Sequence, residues 1–160
     1  MQRPRFIYSG GTMSNKSFYI LEIALLDQEE KAIRKIQIEA SKTLYKLAEE
    51  IVKSFGFKFD HCFGFYSSFE GNITKAERLY ELFVDCNESP SPGAKSVKKT
   101  KISEVFKISG DKMLFLFDYG DDWRFSVELK EIKKGENQGM KAAVIESTGK
   151  APKQYPPCEE

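Results

Sequence analysis

The chain has 160 residues, and its 25 lysines and arginines against 24 aspartates and glutamates leave a formal net charge of +1 at pH 7. This balance excludes a protein that attracts nucleic acid or an anionic membrane through its overall charge, while 41% hydrophobic residues suffice for one compact core. No apolar run reaches the roughly 20 residues that cross a bilayer, so the sequence predicts a cytosolic protein without a membrane partner.

The first elements are predicted to be a leader and a hairpin. Residues 1–17 contain the Gly10-Gly11 pair and little apolar periodicity, which predicts a flexible leader. In residues 18–26 apolar side chains recur at every second position, as in a strand with one face on a core. Residues 33–39 alternate in the same way after a polar link, so the two runs predict an antiparallel hairpin.

An amphipathic helix follows the hairpin. Six apolar residues fall at helical spacing and form one stripe: Leu44, Leu47, Ala48, Ile51, Val52 and Phe55. The hydroxyl of Ser41 or Thr43 can cap the start of this helix, and Gly56 suits a left-handed stop at its end. We therefore predict a helix over Thr43–Phe55.

The middle of the chain combines an aromatic segment with a loop. Residues 57–66 are rich in phenylalanine and end in a predicted strand near Cys62–Tyr66. Residues 85–96 contain Ser-Pro-Ser-Pro-Gly and are predicted to be an exposed loop without regular structure. Residues 102–106 carry apolar side chains at the spacing of one helical turn, which predicts a short helix.

Two strands joined by a tight turn are predicted next. Residues 113–117 are continuously apolar, which favours a central strand covered on both faces. Residues 123–129 alternate between apolar and polar side chains, so this second strand has one solvated face. After a polar turn at 135–139, a last strand near residues 141–146 leads to an extended Pro-rich tail at 148–160.

Together these elements predict a single α+β domain over residues 18–147. Its sheet is mostly antiparallel, with one main amphipathic helix on a face. The opening β-β-α order is similar to the start of a β-grasp, or ubiquitin-like, fold. That analogy concerns shape and carries no activity.

The densest polar segment is the tight turn that joins the predicted strands at residues 113–117 and 123–129. Its candidates for a binding surface are Asp118, Tyr119, Asp121, Asp122, Trp123 and Arg124. Carboxylates brought together on a turn can hold Mg²⁺ or Mn²⁺, as hydrolytic sites require. Turn chemistry explains the same residue types, because glycine and aspartate tolerate the backbone angles and an arginine pairs with a carboxylate.

Asp60 and His61 form the second candidate. A histidine beside a carboxylate can act as a general base or as a metal ligand. A lone histidine among phenylalanines is more commonly hydrogen-bonded to backbone inside a core, and the residues favour that interpretation.

Cysteine usage predicts neither a disulfide framework nor a bound metal or cofactor. Cys62, Cys86 and Cys158 are odd in number and lie far apart in the sequence. A zinc site would need these thiols and His61 to converge from distant segments without the short ligand spacing typical of such sites.

A lysine-rich segment follows the predicted loop. Its members are Lys95, Lys98, Lys99 and Lys101. Lysines can contact phosphates while nearby aromatic rings stack on bases. Four lysines beside a loop are also typical of a solvated segment, so both interpretations stay open.

Four segments occur in the order of a known family. They are Asp60-His61 with Phe65, Lys101–Phe106, Phe117–Trp123 with Val127–Leu129, and Gly149–Pro152. Together they resemble the plasmid pRiA4b ORF-3-like family over residues 18–157. The most specific motif of that family is of the type Tyr-Asp-(Phe/Tyr)-Gly-Asp-x-Trp, which Phe117–Trp123 matches well, with phenylalanine at the first position.

The resemblance implies an α+β fold without an established biochemical activity. Some members carry a label that ties them to a transposon-associated resolvase, which would link this chain to mobile elements. Serine recombinases need a nucleophilic serine supported by several arginines, and the five arginines here form no such cluster. The family's Pro-Pro-Glu-Asp-x-Gly-Gly type tail is replaced by residues 152–158, so no role of tail carboxylates is carried over.

Three functions are compatible with these residues. The favoured one is a non-enzymatic recognition module that binds an unidentified protein or nucleic-acid partner through the Asp118–Arg124 turn and Asp60-His61. The second is a metal-dependent hydrolase or nucleic-acid-processing enzyme that uses Asp118, Asp121 and Asp122, with His61 as an optional further ligand. The third is nucleic-acid binding through Lys95–Lys101. The sequence specifies no oligomeric state.

Overall fold

The structure, a computed structural model, describes residues 16–134 and 139–157. The strands are β1 (Phe18–Leu25), β2 (Ile33–Glu39), β3 (Phe63–Tyr66), β4 (Leu79–Glu81), β5 (Lys95–Ser96), β6 (Lys112–Phe117), β7 (Trp123–Lys133) and β8 (Ala143–Thr148). The helices are α1 (Leu44–Ser54), α2 (Leu82–Cys86) and α3 (Ile102–Val105), with a 3-10 turn at Ile73–Lys75. Most of the predicted leader and of the turn at 135–139 lies outside the described residues.

The strands form one eight-stranded sheet in the order β5-β4-β3-β6-β7-β1-β2-β8. All neighbours pair antiparallel except β4 and β5. Both predicted hairpins are confirmed, since β1 pairs with β2 and β6 pairs with β7. The α+β class with a mostly antiparallel sheet is therefore confirmed. The β-grasp resemblance is not, because β1 lies between two antiparallel neighbours, β2 and β7, in a much larger sheet.

Helix α1 packs the predicted apolar stripe against one face of the sheet. Its buried residues are Leu44, Leu47, Ala48, Ile51 and Val52. The hydroxyl of Thr43 accepts a hydrogen bond from the backbone N–H of Lys46 at 3.1 Å, which confirms the predicted cap. Burial of each large apolar side chain contributes roughly 1.5–3 kcal/mol, so the stripe fixes the helix on the sheet.

Strand β6 is covered on both faces, as its continuous apolar run predicts. Met113, Phe115 and Phe117 face the core that contains α1. Leu114 and Leu116 face a second, smaller core on the other side of the sheet. Because the side chains of a strand alternate between faces, a strand buried on both sides needs apolar residues at every position.

Regular structure extends into the region predicted to be a loop at residues 85–96. The segment begins in α2 and ends in β5, so that prediction is wrong at both ends. The carboxylate of Asp85 explains the difference, because it accepts hydrogen bonds from the hydroxyl of Ser96 and from the backbone N–H of Val97. Residues 87–90, which follow α2, are exposed.

The end of β8 is anchored by a buried arginine. Strand β8 covers residues 143–148, two residues later than predicted. The Nη1 of Arg34 donates to the carbonyls of Thr148 and Gly149 at 3.2 and 3.1 Å, and its Nε donates to the carbonyl of Ser54 at 2.9 Å. Residues 149–157 then continue without helix or strand. The anchor fixes where this tail leaves the sheet.

Candidate functional site

The turn between β6 and β7 begins with a buried aspartate. Asp118 has left-handed backbone angles, with φ at 70°, and its side chain is 6% exposed. Its Oδ1 accepts hydrogen bonds from the backbone N–H groups of Gly120 and Asp121, both at 3.1 Å. Asp118, the first residue of the turn predicted to form a binding surface, is therefore buried. One oxygen of Asp118 shapes the turn, and Oδ2 is left for another contact.

His61 lies beside that second oxygen. Its Nδ1 is 3.5 Å from Oδ2 of Asp118 and 2.8 Å from Oδ1 of Asp60. The side chains of His61 and Asp60 are 41% and 42% exposed. The interpretation of His61 as a core residue bonded to backbone is therefore wrong, because its partners are side chains at the surface. The fold joins two segments that lie more than fifty residues apart in the sequence.

The tail adds two residues that the sequence analysis missed. Gln154 is buried, its Oε1 accepts a hydrogen bond from the backbone N–H of Lys58 at 2.7 Å, and its Nε2 donates to the carbonyl of Lys58 at 3.2 Å. This clamp places the hydroxyl of Tyr155 3.1 Å from Oδ2 of Asp60 and 3.1 Å from Nδ1 of His61. Lys58 and Gln154 are 96 residues apart in the sequence, so no local pattern predicts their contact.

These contacts shift the protonation of the cluster. The hydrogen bond with Asp60 raises the pKa of His61 above its ordinary value, and the charges of Asp118 and Asp121 act in the same direction. Partial burial alone raises the pKa of Asp60, but hydrogen bonds from His61 and Tyr155 outweigh it and leave that pKa lowered. Burial and the hydrogen bond to Asp60 raise the pKa of Tyr155 to about 12. We call Asp60, His61, Asp118, Asp121 and Tyr155 the acidic site.

An aromatic cleft adjoins the acidic site. This surface cavity of about 290 Å³ is lined by Tyr45, Phe59, Asp60, His61, Cys62, Phe63 and Leu82. The rings of Tyr45 and Phe59 pack edge to face with centroids 5.3 Å apart. Asp60 and His61 belong to both features, so a ligand in the cleft would contact the acidic site as well.

Residues 17–155 match the family model described as plasmid pRiA4b ORF-3-like protein. The match covers most of the chain and every residue of the acidic site. The chain belongs to the plasmid pRiA4b ORF-3-like family. The resemblance inferred from Phe117–Trp123 and the accompanying segments is thereby confirmed.

A solved structure shares the fold of this plasmid pRiA4b ORF-3-like protein. It is the crystal structure of MM3350, a protein of unknown function from Methanosarcina mazei Go1. The TM-score is 0.70 at 18% sequence identity, and the superposition covers 86% of this chain and 73% of that chain. At this identity the similarity establishes the fold alone. No curated protein matches the chain.

Three other residues of the turn, Asp122, Trp123 and Arg124, make their contacts outside the acidic site. The Nε of Arg124 donates to Oδ1 of Asp122 at 2.9 Å, which confirms the expected pairing of arginine with a carboxylate. The ring of Trp123 packs on Phe57 with centroids 4.8 Å apart, and its buried Nε1 has no hydrogen-bond partner among the described residues. Asp122 and Trp123 therefore serve the turn and the core.

Tyr119 also makes its contacts outside the acidic site. Its hydroxyl lies 2.6 Å from the hydroxyl of Tyr66, and its ring packs on Phe83 with centroids 4.9 Å apart. Successive residues of the turn thus reach different surroundings: Asp118 contacts His61, and Tyr119 contacts the smaller core.

The lysine candidates lie along one exposed segment. Lys95, Lys98, Lys99 and Lys101 are all exposed. The Nζ of Lys98 lies 4.9 Å from the ring centroid of Tyr45, at the aromatic cleft. Binding of nucleic acid by this segment stays a prediction.

The metal hypothesis also stays a prediction. The structure brings Asp60, His61 and Asp118 together and pairs Asp122 with Arg124 instead. Over residues 16–134 and 139–157, no group of three or more histidine, cysteine, aspartate or glutamate side chains is arranged to hold a metal ion. In the same part of the chain, none of the helices has the length and apolar character of a membrane span.

Proposed function

We propose that this protein is a non-enzymatic recognition module whose acidic site holds a cationic side chain of a partner protein. The observation that carries the proposal is that carboxylate oxygens of Asp60 and Asp118 lie 2.8 and 3.5 Å from the Nδ1 of one surface histidine, with the exposed Asp121 in the same turn as Asp118. Even with His61 protonated, the three carboxylates of the acidic site outnumber its single positive charge. The site is therefore complementary to a cation.

The aromatic cleft favours arginine as that cation. A guanidinium stacks on aromatic faces and pairs with carboxylates through a planar fork of donors. The cleft offers Tyr45 and Phe59 directly beside the carboxylate of Asp60. The Nζ of Lys98 lies 4.9 Å from the ring centroid of Tyr45, so an arginine that stacks on this ring would replace the lysine there.

The protonation of the site supports recognition over catalysis. One oxygen of Asp118 is committed to the backbone of the turn. Burial raises the pKa of the Cys62 thiol, and a neutral thiol is a poor nucleophile. The groups nearest to the cleft are therefore suited to holding charge rather than to forming a covalent intermediate.

Calorimetric titration with acetyl-hexaarginine amide tests the proposal. Asp121→Asn should weaken binding of this probe about three- to five-fold, the effect of losing one exposed ion pair. Asp122→Asn is the matched control, because it removes the same charge from the adjacent residue, which Arg124 already pairs. Binding by Asp122→Asn should equal that of the unmodified protein.

Two results would overturn the proposal. One is an affinity for hexaarginine that Asp121→Asn does not change. The other is an equal loss in both variants, which would indicate attraction by general charge instead of by the acidic site. A cytosolic location and a link to mobile elements stay predictions from the sequence and the family resemblance. A shift of the melting temperature on adding Mn²⁺ or Zn²⁺ would instead support the metal-dependent alternative.

A further inference from the structure

A buried carboxylate lies on the opposite side of the turn from the acidic site. Glu81, the last residue of β4, is 1% exposed. Its Oε2 accepts hydrogen bonds from the hydroxyls of Tyr66 at 2.6 Å and Ser91 at 2.8 Å, and its Oε1 accepts one from the backbone N–H of Ser91 at 2.8 Å. All three donors are neutral. A buried carboxylate needs such donors because they replace the water that it has lost.

The hydrogen bonds of Glu81 continue to the turn in a fixed direction. Tyr66 has one hydroxyl hydrogen, which it donates to Glu81. The hydroxyl of Tyr119, 2.6 Å away, must therefore donate to the oxygen of Tyr66. The carboxylate thus orders two tyrosine hydroxyls in series, and Tyr119 comes directly after Asp118 in the turn.

Strand β3 leaves room for this arrangement through a glycine. A Cβ atom at Gly64 would lie 2.7 Å from the hydroxyl oxygens of both Tyr66 and Tyr119. That distance is far below van der Waals contact, so any side chain there would displace the hydroxyls. The glycine and the two tyrosines are therefore parts of one feature.

The two ends of the network belong to different surface segments. Ser91 lies in the loop of residues 87–94, and Tyr119 lies in the turn whose Gly120 and Asp121 amides bind Asp118. We infer that Glu81 is a positioning residue that couples the 87–94 loop to the turn of the acidic site. The consequence for recognition rests on the proposed function, whereas the coupling itself does not.

Amide hydrogen exchange of the full chain, measured by NMR, tests the coupling from the loop side. Ser91→Ala removes one of the donors to the charged acceptor and should increase exchange of the Gly120 and Asp121 amides about ten-fold. Ser89→Ala is the matched control, because Ser89 lies in the same loop and is exposed. It should leave both rates unchanged.

The reverse experiment starts from the turn. Tyr119→Phe keeps the ring and removes the hydroxyl, so exchange of the Ser91 amide should increase, because coupling between two sites is reciprocal. Amides of α1 serve as the internal reference in every variant. Unchanged α1 rates show that the effect is local and does not come from general unfolding.

Two results for Ser91→Ala would overturn the coupling: unchanged exchange rates of the Gly120 and Asp121 amides, or an equal increase in the exchange rates of the α1 amides. Neither result depends on the test of the acidic site. Coupling without any dependence of hexaarginine binding on Asp121 would contradict the proposed function alone. Dependence on Asp121 without coupling would contradict only the role of Glu81.

Discussion

Asp118 and Tyr119, adjacent residues of one turn, connect two carboxylate–tyrosine clusters that differ in burial. In the acidic site the side chain of Asp60 is 42% exposed and lies 3.1 Å from the hydroxyl of Tyr155. In the smaller core Glu81 is 1% exposed and lies 2.6 Å from the hydroxyl of Tyr66. The exposed carboxylate keeps its water and stays available to a ligand. The buried one depends on its protein donors, so it contributes to stability and order instead.

The tyrosines show the same difference. Burial raises the pKa of Tyr66 and of Tyr119, so both hydroxyls keep their hydrogen and can donate it within the series. In the acidic site the hydrogen bond with Asp60 raises the pKa of the exposed His61 imidazole above its ordinary value. The cluster of Glu81, Tyr66 and Tyr119 is therefore a structural unit, whereas the acidic site contains a titratable imidazole.

The largest effect is expected for Glu81→Ala. Removal of the carboxylate leaves the hydroxyl of Tyr66 and the amide of Ser91 buried without an acceptor, which should lower the free energy of unfolding by about 3 kcal/mol. Asp60→Ala, the corresponding change at the exposed cluster, should cost much less, since water replaces the lost contacts. Urea denaturation followed by circular dichroism measures both losses. A loss for Asp60→Ala as large as that for Glu81→Ala would contradict this comparison.

A smaller loss is expected for Gly64→Ala. The added methyl group would lie 2.7 Å from two hydroxyls, and the resulting shifts should cost roughly 1–3 kcal/mol. Gly120→Ala is the control within the same turn region, because its Cβ would approach no closer than 3.4 Å, to Oδ1 of Asp118. Thermal unfolding of the two variants compares them. Equal melting temperatures would show that the tyrosine network tolerates a side chain at Gly64.

Elements with a strong period could be predicted from the sequence, and contacts between distant segments could not. The apolar stripe from Leu44 to Val52 predicted both ends of α1 to within one residue, because a helix buried on a sheet needs that spacing. The continuous apolar run of β6 likewise revealed cores on both faces. These signals are local, since they depend on which side of one element is buried.

The contacts of the acidic site could not be predicted, because they join segments that lie far apart in the sequence. His61 stands between Phe59 and Phe63 in a segment rich in phenylalanine, which favoured a buried position, but it lies in the irregular segment before β3 and is exposed. Tyr155 reaches Asp60 only because Gln154 clamps the tail to Lys58. Glu81 and Ser91 fell in stretches without a clear period, so their network had no sequence signal.

The smallest effect, and the most direct probe of the acidic site, is the titration of His61. It is the one histidine of the chain, so its ring proton signals report its pKa by NMR without overlap. The pKa should lie above 6.5, and Asp60→Asn should lower it because that variant weakens the hydrogen bond that raises it most. Asp122→Asn, next to the site but paired with Arg124, should leave it unchanged. A pKa at or below 6.5 in the unmodified protein would contradict the geometry.

The same titration determines two dependences on pH. Because the pKa of His61 is higher in the folded than in the unfolded chain, its stabilising effect is complete below the unfolded pKa and is lost as pH rises through the folded pKa. Hexaarginine binding should change in the opposite direction, since deprotonation of His61 removes the positive charge that competes with the probe. As pH rises through the folded pKa of His61, the protein should become slightly less stable but bind hexaarginine more tightly. Both changes over the same pH interval would show that His61 occupies the place of the partner's charge.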